Sequence, residues 1–312
     1  MTVVSVLSAK GCPGATSTSL TVAGLMKAKF ENRTLLECDP AGGDLALRMQ
    51  KSSRPGLITL AAERTEITRA LIDHHSQALS DGVNILFGTQ GFEQFILVED
   101  IISQVVTNYI ETDDLLVVDL GRWDPHVNLT NHILESSKLI LLVIDGSSEG
   151  IVSARSILSS LKTFEKKISV VITGTFLFDK FEVESFLKRK VVGILEEIFK
   201  ISESFIADSI QSVKLKSEVN KNLINLQKEI IDLLFDSEEN SIYGNKYKDE
   251  PSIIQDCSTS SFKRRFFRRL NTSDESSDVS EIVKFENFGE TRDIEQSISN
   301  EENEFLQLVE EL

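Results

Sequence analysis

Short apolar runs alternate with amphipathic stretches along the first ~200 residues. VVSVLS (3–8), TLLECD (34–39), VNILFG (83–88), LLVVD (115–119), KLILLVID (138–145) and ISVVITG (168–174) each read as a strand, and VVGIL (191–195) as a last edge strand. Runs of this length, rich in Val, Ile and Leu with little alternation, suit strands covered on both faces. Helical spacing falls between or after them, at 16–30, 66–80, 92–110, 127–136, 149–163 and 179–188. In the first of these, Leu20, Ala23, Gly24 and Lys27 share a face. The strongest amphipathic pattern is 217–235, with Val219, Leu223, Leu226, Ile230 and Leu233 or Leu234 in phase. This order predicts an α/β fold: a mostly parallel, doubly wound sheet with helices on both faces.

Apolar periodicity stops near residue 236, which divides the chain into a folded domain, 1–235, and a tail, 236–312. The tail is rich in Ser, Asn, Asp and Glu and carries 9 basic against 19 acidic residues. Such a segment buries too little apolar surface to order itself, so it is expected to be disordered. It contains two islands. FKRRFFRRL (262–270), wound as a helix, puts Phe262, Phe266 and Leu270 on one stripe, with Phe267 beside it and its four arginines largely elsewhere. A basic aromatic helix of that kind suits an anionic membrane surface or a protein partner. EENEFLQLVEEL (301–312) is an acidic amphipathic end that suits a partner groove or stays solvated.

The whole chain holds 33 basic and 49 acidic residues, a net charge of −16. An acidic surface repels nucleic acid, so direct DNA binding is not expected without a local basic patch. Cys12, Cys38 and Cys257 show no paired spacing. That predicts a reducing, cytoplasmic setting without a disulfide frame or a zinc site. No apolar run has the length of a membrane span, and the N-terminus lacks a basic segment followed by an apolar core. His74-His75 and His126…His132 lack ligand spacing on one helix face, and no nucleophilic triad is visible.

The chemistry gathers at the strand ends. AKGCPGATSTSL (9–20) runs from the first strand through a glycine turn into a Ser/Thr-rich helix start. A phosphate loop is built this way, with backbone N–H groups facing one concavity and the helix dipole behind them. Its strict pattern, G-x-x-x-x-G-K-[ST], is met here only by Gly14 and Thr16; Ala9 and Ala15 replace the first glycine and the lysine. Lys10 lies on the loop itself. ECDPAGGDL (37–45) ends the second strand in acid and glycine, and LLVVDLG (116–121) ends a strand in Asp119, the form of an acid that holds Mg²⁺ or its water. In a parallel sheet these three ends converge on the ligand-binding edge.

AKGCPGATS resembles the deviant phosphate loop, KGGxGK[ST], of the MinD/ParA ATPase family. TLLECDPAGGDLA resembles that family's strand-two motif, and the Asp119 strand and LILLVIDGSSEGIVSARSILSSL also fit. The likeness covers about residues 2–235 and is nearest to septum-site and TadZ-like pilus-assembly members with altered loops. It implies a P-loop NTPase fold with ATP and Mg²⁺ as cofactors, bound by Lys10, Gly11, Cys12, Pro13, Gly14, Ala15, Thr16 and Ser17. It further implies that Lys10 reaches a dimer partner's phosphates, that Thr16 ligates Mg²⁺, that Asp39 positions water and that Asp119 is the acid on the metal side. Asp39 and Asp119 are thus the catalytic pair and, with Thr16, the metal set. A homodimer acting with a protein partner in septum placement, chromosome partition, or pilus or secretion machinery is the implied assembly. The family's membrane-anchoring helix adds peripheral contact through 262–270 at the inner face of the plasma membrane.

Ala15, Cys12, Glu37 and the segment Leu120-Gly121-Arg122 depart from the family pattern, and no base-binding Asn is evident in ITGTFLF. Losing a charge-assisted lysine contact removes ~1.5–3 kcal/mol of binding, roughly ten- to a hundredfold. The rate suffers more, because positive charge faces the transferring group. Weak or lost hydrolysis is therefore expected. Two alternatives stand beside it: a slow ATPase in which Lys10 replaces the missing lysine and drives a dimerisation cycle, and a scaffold without nucleotide.

Overall fold

The computed structural model describes residues 2–9, 14–63, 65–79, 82–110, 112–124, 127–174, 178–196, 198 and 217–235. The tail and both its islands, like loop residues Lys10, Gly11, Cys12 and Pro13, lie outside them.

Eight strands form one sheet: β1 (Thr2–Ser8), β2 (Arg33–Glu37), β3 (Gln77–Ala78), β4 (Val83–Leu86), β5 (Leu115–Arg122), β6 (Leu139–Asp145), β7 (Ile168–Thr173) and β8 (Val191–Leu195). Their order is β3-β4-β2-β5-β1-β6-β7-β8. Every pairing is parallel except that of the short edge strand β3 with β4. Strands β1, β2 and β7 are buried along their whole length, as β-branched and leucine-rich runs require when helices cover both faces. The expected α/β fold is the observed one.

The helices are α1 (Ala15–Leu25), α2 (Leu45–Arg48), α3 (Leu57–Ala61), α4 (Arg69–His75), α5 (Phe92–Ile110), α6 (Asn128–Ser136), α7 (Ser148–Ser160), α8 (Lys180–Leu187) and α9 (Ser217–Phe235). Helix α9 packs on β8 and α1 with Leu223, Leu226, Ile230 and Leu234 buried, the stripe expected from its spacing. Among the described residues no helix is long and apolar enough to cross a membrane.

Three expectations change. The first helix ends at Leu25 and tightens to a 3₁₀ turn over Met26–Ala28, so Lys27 is exposed and shares no buried face with Leu20 and Ala23. Helix α1 is buried around nearly its whole circumference, between the sheet and α9, and therefore has no single apolar stripe to read. Its carboxyl end is held by the buried Arg33, whose Nη1 donates to the carbonyls of Ala23 and Gly24 at 3.3 and 3.2 Å. Residues 66–80 are not one helix: Thr68 caps α4 by accepting from Leu71 N at 3.4 Å, and the chain leaves at Ser76 to form β3. Strand β5 continues past Asp119 to Arg122 because its end stays paired with β1, Ser8 opposite Arg122.

Candidate phosphate and metal site

β1 delivers the chain to the loop, and α1 receives it. Gly14 precedes α1 with φ +122°, a conformation that L side chains rarely adopt, and a Cβ there would stand 3.2 Å from Thr173 at the end of β7. Its carbonyl accepts from Thr18 N at 2.8 Å, which starts the helix. Ala15, Thr16 and Ser17 form the first turn; Ala15 and Ser17 are buried and Thr16 is half-buried. Helix α1 carries no acidic residue in this turn, so its N-terminal partial charge is not met by a carboxylate of its own.

Sequence reasoning did not find the cation beside this turn. Arg48 Nη1 donates to Ser17 Oγ at 3.2 Å, and the same guanidinium pairs with Asp44 at 2.6 Å. The signal is long-range, 31 residues apart, and nothing local in the sequence marks it.

The acids lie at the neighbouring strand ends. Asp119 is fully buried; its Oδ1 accepts from Gly121 N at 3.1 Å, and among the described residues its Oδ2 has no hydrogen-bond partner. Burial pushes its pKa up to about 7; the Thr16 side chain and the Gly121 N–H oppose the rise, and the charges of Glu37 and Asp39 add to it. The structure thereby brings Thr16 and Asp119 together. The Asp119 carbonyl accepts from Cys38 N at 2.7 Å, tying the end of β2 to β5. Cys38 is buried, and burial first, then the three neighbouring carboxylates, push its thiol well above the usual range, so it is inert as a nucleophile.

Asp39 sits just past β2. Its Oδ1 accepts from Ala41 N at 2.9 Å, and its Oδ2 lies against Gly121, where an added Cβ would come within 2.1 Å. Gly121 has φ +59°, so both its conformation and this contact require glycine. Burial raises the Asp39 pKa; the Ala41 N–H lowers it, Asp44 raises it and Arg122 lowers it.

Glu37, which departs from the family's aspartate, has a structural role. Its Oε1 accepts from Leu45 N at 2.8 Å at the start of α2, and its Oε2 from Gly88 N at 3.0 Å after β4. Burial is the larger influence and raises its pKa, against those two N–H donors. Both carboxylate oxygens are thus engaged.

Among the described residues no group of three or more His, Cys, Asp or Glu side chains forms a cage for a metal ion. The buried, unpartnered Oδ2 of Asp119 beside Thr16 still fits Mg²⁺, which keeps several waters and takes one or two protein oxygens together with phosphates. When bound, the ion would neutralise charge on the terminal phosphates. Asp39 borders a cavity of about 730 Å³ that is shared with Arg122, Trp123 and the Ser153 and Ser156 face of α7.

Solved structures share the fold. A ParA family ATPase from Chlorobium tepidum superposes with TM-score 0.62 at 18% identity, covering 73% of this chain and 98% of that one. The fold is that of the ParA and MinD ATPases. The MinD-type match extends to the MinC:MinD cell division complex of Aquifex aeolicus (TM-score 0.54, 16% identity, 74% and 96% covered). It extends also to the septum site-determining protein MinD complexed with Mg-ADP from Pyrococcus horikoshii (TM-score 0.54, 15% identity, 77% and 99% covered). No protein-family model and no curated protein matches the sequence. On this ParA/MinD fold, Gly14, Ala15, Thr16, Ser17, Asp39 and Asp119 share the carboxyl edge of the central strands, where nucleotide sites of open parallel sheets lie.

Proposed function

We propose that this chain is a MinD/ParA-type positioning or assembly protein that binds ATP·Mg²⁺ and hydrolyses it weakly or not at all. The observation that carries the reading is the buried Oδ2 of Asp119, left without a partner beside the Thr16 side chain at the start of α1. A fold under selection for stability alone has no use for an orphaned buried carboxylate oxygen. A metal ion answers it.

Thr16 and Asp119 hold the metal side in this reading, the first turn of α1 takes the phosphates, and Asp39 orders the water. Ala15 removes the lysine that would lower the transfer barrier, so nucleotide acts as a state marker more than as fuel. Of the MinD proteins named above, that of Aquifex aeolicus was solved in complex with MinC and that of Pyrococcus horikoshii with Mg-ADP. By that analogy the chain acts as a homodimer with a protein partner of a septum, partition, pilus or secretion machine, with 262–270 available for peripheral membrane contact.

Calorimetry with ATP·Mg²⁺ on the wild type and Ala15→Lys tests the reading. The expected outcome is measurable wild-type binding that Ala15→Lys tightens about ten- to a hundredfold. No binding by either protein refutes it in favour of a scaffold; steady-state turnover by the wild type that Asp39→Ala abolishes refutes the weak-hydrolysis part.

A further inference from the structure

We propose that Arg122 supplies, from the end of β5, the positive charge toward the terminal phosphate of a nucleoside triphosphate that Ala15 cannot supply. The proposal rests on the nucleotide-binding reading above and adds a residue to it.

The backbone of Arg122 is fixed at the root of the phosphate loop. It pairs in register with Ser8, the last residue of β1. Ser8 Oγ donates to the Gly121 carbonyl at 3.2 Å, and the Ser8 carbonyl accepts from Trp123 N at 3.0 Å. Two hydrogen bonds from one residue thus hold the segment on either side of Arg122 against the strand that leads into the loop.

The side chain, in contrast, is uncommitted. It is exposed, and among the described residues it makes no hydrogen bond and no ion pair. It lines the cavity that Asp39 borders, and its charge favours the ionised form of that carboxylate. The other arginine near the loop, Arg48, is already engaged by Asp44 and Ser17. A guanidinium without a hydrogen bond or ion pair, close enough to Asp39 to act on its charge, is free to meet an added negative group in the cavity they share. Its planar fork of donors matches phosphate oxygens two at a time. It stands beside Asp39, the carboxylate to which the nucleotide-binding reading gives the attacking water, and this assigns it to the terminal phosphate.

A solvated surface arginine would also be exposed and unpaired. Comparing two nucleotides separates the cases. The full chain is titrated with ATPγS and with ADP, both with Mg²⁺, as wild type, Arg122→Ala and Arg122→Lys, with thermal melting of each to confirm folding. Arg122→Ala is expected to weaken ATPγS about tenfold or more and ADP by less than about threefold, with Arg122→Lys recovering part of the loss. Equal weakening of both nucleotides, or no weakening of either, overturns the assignment and leaves the nucleotide-binding reading standing. Absence of binding by the wild type overturns both.

Discussion

The raised pKa of Asp119 makes a prediction about stability that needs no ligand. The group rises from 3.8 unfolded to about 7 folded, which corresponds to about 4 kcal/mol in full. The folded state holds the proton more tightly than the unfolded state. The stabilisation is therefore complete below pH ~4 and is lost as pH rises through ~7. Between about pH 5 and pH 8 the expected loss from this one carboxyl is about 2–3 kcal/mol. Asp119→Asn keeps an oxygen for the Gly121 N–H and cannot titrate. Urea unfolding in EDTA, run on both proteins at several pH values across that window, isolates the group from the other titrating residues. The wild type should fall relative to the variant as pH rises, with a slope approaching ~1.4 kcal/mol per pH unit between about pH 5 and 6 and falling to about half of that at pH 7. A difference between the two proteins that stays constant to within ~0.5 kcal/mol across the window would refute the account of a carboxyl whose burial outweighs its hydrogen bonds. The same linkage requires Mg²⁺ binding at this site to release a proton near neutrality, so its affinity climbs with pH until about one unit above the folded pKa.

Two further substitutions probe the frame. Gly121→Ala forces a Cβ to within 2.1 Å of Asp39 Oδ2 at φ +59°; a loss of ~1–3 kcal/mol in chemical unfolding is expected, with weaker nucleotide binding because Asp39 is displaced. Glu37→Gln leaves one acceptor for two buried N–H donors and points an amide NH₂ at Leu45 or Gly88; ~1–3 kcal/mol of destabilisation is expected, and a wild-type midpoint would show that those two bonds carry no weight.

The sheet was legible because its strands are buried on both faces and spell themselves out as unbroken apolar runs. Helix α9 was legible for the opposite reason: it has one wet side, so Leu223, Leu226, Ile230 and Leu234 stand out in phase. Helix α1 has almost no wet side, and its Ser and Thr are buried with its Leu and Val, which is why a face drawn through Lys27 failed. The split of 66–80 into α4 and β3 depends on pairing with β4, a contact that no local window contains. Gly14, Thr16, Asp39 and Asp119 could be placed together at one edge of the sheet because strand ends announce themselves in sequence. The contact of Arg48 with Ser17 and that of Gly121 with Asp39 could not, since each is made by folding distant segments together.

The tie from Arg48 to Ser17 has a mechanical consequence. Helix α2 has four residues, of which only Leu45 is buried, while Leu47 is 81% exposed. So short an element has little packing of its own to resist displacement. It is anchored by Glu37 at its first residue and reined to the phosphate helix at its last. A displacement of the first turn of α1 would act on the second anchor and leave the first in place. The segment would pivot, swinging an apolar side chain across the surface. A four-residue helix with one buried side chain is thus tied at both ends to other elements, to Glu37 at the end of β2 and to Ser17 in the first turn of α1.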